Sequence, residues 1–293
     1  MATLRELKGR IGSVASSEKI TGAMKMISSA KMHKAELALK RLLPFRGQIE
    51  TILGNLLSAD AEFSSPLTEP RDVKTVGLVV LGSDDGLCGA YNVNIFKAVL
   101  NRLEDYRRIY GNGVEVVIYP VGRKMEKATR KIAGPLLKIE AIEGVNSKTE
   151  GTGVKNFMEL LRDNFTSGML DRVDVMYMNF QSVSRQRLRA DQLLPIIPES
   201  FSKGNDKALC RPYIFEPDAS SIFKAVLPLY LLSMMQEIFV ENRASEQAAR
   251  IMAMQSANDN AKKLLEQLQL EFNKLRQQSI TTELLDILGG QVK

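Results

Sequence analysis

Two long helical patterns, one at each end of the chain, dominate the distribution of apolar residues. Near the C-terminus Ile251, Met254, Asn258, Ala261, Leu265, Leu268, Phe272 and Leu275 recur at alternating spacings of three and four, the seam of a coiled coil. Asn258 is its only polar member, and a single buried Asn at such a position fixes register at some expense of stability. At the opposite end Ala35, Ala38, Leu42, Phe45, Ile49, Ile52 and Leu56 repeat the alternation, which starts earlier at Leu4, Leu7, Ile11 and Val14. One helix is therefore predicted over residues 1–58, kinked but not ended at Pro44. Its glycines each weaken a helix by about 1 kcal/mol relative to Ala, so the helix needs a partner. Small residues such as Ala23 and Ser28 on one helix, and Ala244, Ala248 and Ala261 on the other, let the two approach closely.

The stretch between them has another rhythm. Residues 58–72 mix Ser, Pro and acidic side chains as loops do. Strand-like runs at 73–81, 114–121, 136–142 and 173–180 then alternate with helical ones at 92–108, 123–133 and 154–164, the pattern of a mostly parallel sheet covered by helices. A more polar run at 184–194 adds an edge strand. The expected fold class is α/β plus long α: an antiparallel coiled coil of the N- and C-terminal helices with an inserted Rossmann-like α/β domain. The expected divisions are a helix over 1–58, the α/β domain at 73–200, a return segment at 201–221 and a helix over 222–288. Because both helices border the same insert they must run antiparallel, and the longer C-terminal one projects by about 15 Å at its tip. There the apolar residues move to Ile280, Leu284, Ile287 and Leu288, a face turned toward a different partner.

Composition narrows the classes. With 44% apolar residues the 293-residue chain can bury a core, and 40 basic against 34 acidic residues leave a net charge of +6. The basic residues are dispersed and no aromatic-interleaved basic stripe appears, which argues against nucleic acid. Nothing at the N-terminus marks the chain for export, and the apolar runs look too short for a membrane span. Two cysteines, Cys88 and Cys210, suit free thiols in a reducing compartment.

Candidate chemistry is sparse. GSDDGLCGAYN (82–92) follows a strand and opens a helix, where α/β folds cradle phosphates, but its glycine spacing fits neither dinucleotide nor P-loop signatures. Asp84 and Asp85 also put negative charge where a phosphate would sit, so a tight structural turn is the expectation. The sole histidine, His33, lies in the N-terminal helix as a surface residue, away from any dyad with Cys88 or a zinc site. Asp171 and Asp174 read as turn chemistry, and Met24, Met26, Met32, Met252 and Met254 as adaptable filler of a helical interface. No catalytic, cofactor or metal constellation is expected.

KITGAMKMISSAKMHKAE (19–36) and ITTELLDILGG (280–290) resemble the two termini of the γ subunits of F-type ATP synthases. ENRASEQAARIMAM (241–254), NKLRQQ (273–278), the 82–92 loop and YIFEPD (213–218) fit that family in the same order, over essentially the whole chain. Gln291, Gly82 and Asp85 depart from the usual pattern.

The resemblance implies a non-catalytic rotor shaft, one copy per complex. It would couple proton flow to ATP synthesis or hydrolysis on the β subunits of an α3β3 hexamer, with the ε subunit and the c-subunit ring as further partners. The membrane is met only through that ring, at the cytoplasmic face of a bacterial inner membrane, and no cofactor is needed. Carried over residue by residue, Met24, Lys25, Arg250, Arg276, Gln277, Thr281 and Glu283 are expected to touch β, and Tyr213, Phe215 and Glu216 the c ring. Two other classes stay open: a fixed coiled-coil adaptor, which needs no projecting tip, and a nucleotide-dependent enzyme using the 82–92 loop.

Overall fold

The structure is a computed structural model that describes residues 3–57, 63–198, 201 and 215–290. Its elements in chain order are α1 (Leu4–Leu57), β1 (Thr75–Leu81), α2 (Tyr91–Tyr110), β2 (Glu115–Val121), α3 (Arg123–Thr129), β3 (Leu137–Ile139), α4 (Thr152–Thr166), β4 (Arg172–Phe180), β5 (Gln186–Leu194) and α5 (Ala219–Gly290). Pro44 lies inside α1 without interrupting it. The strand expected over 136–142 shrinks to the three residues of β3, and helix 123–133 ends in a single tight turn at Arg130–Ile132.

The sheet has the order β3-β2-β1-β4-β5, with β3, β2, β1 and β4 parallel and β5 antiparallel at the edge. Period-two alternation sorts its side chains to two faces. Val76, Leu78, Val80, Val116 and Ile118 meet Ile95, Val99, Leu103 and Tyr106 of α2. Val79, Leu81, Val121, Val173 and Val175 face the other way, into a core shared by α4, α1 and α5. That shared core contains Ile49, Leu53 and Leu56 of α1, Phe157 and Phe165 of α4, and Phe223, Leu227, Met235 and Phe239 of α5. The sheet and the two terminal helices are thus one packed body. Asp171 accepts the backbone N–H groups of Lys74 and Thr75, as a turn residue does. Asp174 does not: it is fully buried within β4, where Arg102, Arg172 and the Tyr106 hydroxyl donate to its carboxylate.

The terminal helices lie side by side in opposite directions: Asn258 bonds to Glu18 and Thr21, whereas Glu237 pairs with Arg46. On α5 every residue of the expected seam, from Ile251 to Leu275, is buried or half-buried. On α1 the seam corrects the expectation. Phe45 and Ile52 are 53% and 45% exposed, while Leu39 and Leu53 are buried at 7% and 0%. The inward positions are Leu4, Leu7, Ile11, Val14, Glu18, Thr21, Lys25, Ser28, Met32, Ala35, Leu39, Leu42, Arg46, Ile49, Leu53 and Leu56, an unbroken alternation of three and four. Apolarity alone favoured Phe45 over Arg46. The ion pair with Glu237 is what makes a charged residue fit that line, at 2.8 Å.

One stretch of α5 is apolar enough, at a mean hydropathy of 1.4, to match a membrane-crossing helix by length and composition, which corrects the expectation of short runs. Within α5, Leu227, Leu231, Met235 and Ile238 are buried against the sheet and α1.

Leu53→Ala is expected to destabilise the protein by about 2–5 kcal/mol in urea unfolding, and Phe45→Ala by under about 0.5 kcal/mol. The reverse ranking would restore the apolarity-based seam.

Candidate functional site

The polar stretch of α5 from Glu241 to Arg250 sits against the C-terminal ends of β1 and β4, the crevice where open parallel sheets bind ligands. In this chain the crevice is filled by the chain itself. Asn242 is 1% exposed; its amide NH2 donates to the Gly82 carbonyl at 3.1 Å and its Oδ1 accepts from the Tyr91 hydroxyl at 2.7 Å. The same Oδ1 accepts the Met178 N–H at 3.4 Å, and the Ser245 hydroxyl donates to the Met178 carbonyl at 2.8 Å. Asn179 donates to Glu241 at 2.7 Å. A polar helix face that would read as solvated is instead a buried bolt between helix and sheet.

The 82–92 loop is held from the same side. Arg250, only 6% exposed, donates to the carbonyls of Asp85 and Gly86 and to the Glu246 carboxylate at 2.7 Å. Its guanidinium is therefore held within the chain by α5 and the 82–92 loop, not displayed as a solvated surface charge. Asp84 accepts the Arg123 N–H at 3.1 Å and the Ser147 hydroxyl at 2.8 Å, and Asn92 locks Ser83 from both ends. Gly122, at φ 101°, passes so close to the Ser83 backbone that a Cβ would sit at 2.9 Å from it. Leu87 and Gly89 take positive φ within the turn. Burial would raise the Asp85 carboxyl, but Lys148 and Arg123 outweigh it and hold the group below the usual carboxylate range. The position a phosphate would occupy thus carries two anchored carboxylates, as the turn reading expects.

Cys88 is 3% exposed, 3.8 Å from the Ser83 hydroxyl, and burial pushes its thiol up, against a nucleophilic role. His33 is exposed and lies 3.7 Å from Glu36.

Two acids on α5 are buried, Glu237 against α1 and Glu241 against β4. Glu237, 7% exposed, accepts from Arg46, and burial pushes its carboxyl up to about 6 against the pull of Arg46. Glu241 is raised too, chiefly by burial, with Asn179 opposing.

The sequence-nominated contacts scatter over both helices. Met24 and Lys25 are half-buried where α1 meets α5, with Lys25 on the seam. Arg276, Gln277, Thr281 and Glu283 are exposed on the last turns of α5, where the Thr281 hydroxyl donates to the Gln277 carbonyl. α1 begins at Leu4, opposite the Leu275 region, so residues 276–290 extend beyond it by about 20 Å at 1.5 Å per residue. Ile280, Leu284, Leu285, Ile287 and Leu288 of that tip are all exposed. Phe215 is half-buried against the core and Glu216 is exposed, while Tyr213 and Cys210 fall outside the described residues. The bolt at Asn242 escaped the sequence reading. The signal was there in the run ENRASEQ, polar but for Ala244, on a helix whose preceding residues are apolar.

A family model described as ATP synthase matches residues 3–292. The ATP synthase gamma chain of Phocaeicola vulgatus is 40% identical over 294 residues, covering 100% of each chain. That of Cupriavidus metallidurans is 35% identical over 292 residues, covering 99% of each. Among solved structures, a chain of the Euglena gracilis mitochondrial ATP synthase (OSCP/F1/c-ring) superposes with a TM-score of 0.65 at 20% identity, covering 98% of this chain and 93% of that one. A chain of the Tetrahymena thermophila central stalk/c-ring structure gives 0.56 at 24% identity, over 81% and 99%. At that identity the likeness concerns the fold.

Because its folded pKa of about 6 exceeds the ordinary 4.5, Glu237 favours folding most below pH 4.5, and this contribution is lost as pH rises from 4.5 through 6. The loss amounts to about 2 kcal/mol. Glu237→Gln should remove it, so the stability difference between variant and wild type shifts toward the variant as pH rises. A pH-independent difference would contradict the assignment.

Proposed function

We propose, from the premise that this chain belongs to the ATP synthase gamma chain family, that it is the central rotor shaft of an F-type ATP synthase. The observation that carries the reading is mechanical. Two antiparallel helices packed along a continuous seam project an apolar tip at one end and are bolted to a sheet at the other. Torque needs that combination: a rod that does not slip, a tip that engages a bearing, and a body that turns with the rod.

As an antiparallel coiled coil, the rod would turn inside an α3β3 hexamer, with one copy per complex. Arg276, Gln277, Thr281 and Glu283, on the unpaired part of α5, would meet the β subunits as the tip turns. Met24 would meet them lower down, with the Lys25 side chain reaching out past the seam. Arg250, which bonds to Gly86 and Glu246 within the chain, would join this set by exchanging those bonds for ones to β. Glu216 and Phe215, with Tyr213, would form the foot on the c-subunit ring, and the ε subunit would share that end. The shaft's rotation would bias each β site in turn among its conformations, so that chemistry stays on β and this chain supplies the differential contacts. Proton flow through the ring would drive it, at the cytoplasmic face of a bacterial inner membrane, and the chain itself would be non-catalytic and need no cofactor.

The adaptor reading accounts for the rod but leaves the exposed Ile280, Leu284 and Leu288 without purpose. The enzyme reading meets a crevice already filled by Asn242 and Tyr91.

Removing residues after Gln278 should weaken assembly and coupling while leaving the heat-unfolding transition of the sheet body in place; its disappearance would contradict the assignment of the tip. Met24→Lys should lower the protons pumped per ATP hydrolysed by the assembled complex, and an unchanged ratio would remove Met24 from the contact set.

A further inference from the structure

An apolar groove runs between α1, α4 and α5, and the proposed shaft function does not use it. Its upper part is a hollow of about 550 Å3 with Ala38 and Leu42 of α1, Val154 of α4 and Val240 of α5 in its walls. Its lower part, about 190 Å3, lies between Met158 of α4 and Leu229 and Leu232 of α5. The two adjoin, because Leu229, Leu232, Gln236, Val240 and Arg243 recur at spacings of three and four and form one stripe along α5. Phe45 and Ile52 follow Ala38 at intervals of seven and so continue the α1 wall downward. Leu229, Phe45 and Ile52 are 50%, 53% and 45% exposed. Single exposed apolar side chains are ordinary, but a row of them along one groove marks a contact surface.

The charge at its rims narrows the occupant. Acids at the upper end are each paired: Asp85 with Lys148, Glu150 with Arg243 and Glu246 with Arg250. On the α4 side Lys155 pairs with Glu159 and Arg162 with Asp163. On the α1 side Lys31, Lys34 and Arg41 have no ion pair among the described residues. An apolar floor with uncompensated positive charge along one edge suits a helix that is apolar on one face and acidic along one flank.

The chain carries such a helix. In the tip of α5, Ile280, Leu284, Ile287 and Leu288 share one face and are exposed. Glu283 and Asp286, also exposed, lie on the same flank of that face at 100° per residue. Lengths agree as well: the floor from Leu229 to Arg243 and the tip beyond Leu275 each span about 20 Å. The tip cannot reach the groove of its own chain, because continuous helix from Gln236 to Leu284 holds the two about 70 Å apart.

We propose that, outside an assembled complex, the α5 tip of one copy of this chain docks in the groove of a second copy. Its apolar face lies on the groove floor, with Glu283 and Asp286 toward Lys31, Lys34 and Arg41. Tip and groove are different surfaces, so the contact is head-to-tail and is not limited to two copies. It covers two apolar surfaces that the free chain exposes, and it keeps the tip from any bearing while it lasts.

The test is sedimentation velocity of the purified full-length chain over a range of concentrations at low salt. The average mass should rise with concentration, whereas the chain ending at Gln278 should stay monomeric throughout. Leu229→Glu and the double variant Lys34→Glu/Arg41→Glu, all at exposed positions, should each weaken association about tenfold or more while melting as wild type does. Adding Glu283→Lys/Asp286→Lys to the double variant should restore association. A wild-type chain that stays monomeric, association that survives removal of the tip, unchanged association in the groove variants, or no rescue by the charge swap overturns the proposal. None of these outcomes bears on the shaft function, which is read on the assembled complex.

Discussion

Everything mechanical in this molecule depends on one buried amide. Asn242 uses its NH2 and its Oδ1 to bind the carbonyl of Gly82 after β1, the N–H of Met178 on β4 and the hydroxyl of Tyr91 at the start of α2. A helix packed on a sheet through apolar side chains alone resists separation but has little to stop it from sliding, because the hydrophobic effect is non-directional. Hydrogen bonds of fixed geometry to three different elements remove that freedom, and partial satisfaction of such a buried network would be costly. Around this point Ser245 adds a further bond to β4, and Arg250 and Arg243 add bonds to the loops, so helix and sheet move as one.

The rod obeys the same logic along its length. A purely apolar seam would permit neighbouring registers of similar energy. This seam interrupts its apolar positions with Asn258 against Glu18 and Thr21, and with Arg46 against Glu237. Each is satisfied in only one register, so slipping by a turn would strand buried polar groups. Below Arg46 the seam merges into the core of the sheet body, where Leu53, Phe223 and Phe239 are almost wholly enclosed. Above Leu275 it ends, and the exposed apolar tip of α5 has no partner among the described residues.

How much of this was legible beforehand varies by residue. Along α5 the 251–275 seam could be read directly, because apolar side chains repeat there on an otherwise polar helix. Along α1 the period was correct and three of its eleven positions were not: Ala38, Phe45 and Ile52 stood in for Leu39, Arg46 and Leu53. An apolarity count cannot see that Arg46 has a buried carboxylate to meet. The burial of Arg250 was missed for the converse reason, since a charged residue on a helix reads as exposed until the carbonyls of Asp85 and Gly86 are found beside it. The 82–92 turn was readable as structural from its two aspartates: Asp84 is anchored by the Arg123 N–H and the Ser147 hydroxyl, and Asp85 by the side chains of Arg123 and Lys148. What sequence patterns miss here is long-range polar pairing, which leaves no periodic trace.

The account claims that this chain turns as a unit within a hexamer. The direct test is to immobilise a reconstituted α3β3 assembly containing it through the β subunits, with a bead coupled at Lys97 on the exposed side of α2. On addition of ATP the account predicts sustained rotation of the bead in one direction. A bead that only fluctuates about a fixed angle while the same assemblies continue to hydrolyse ATP would contradict it.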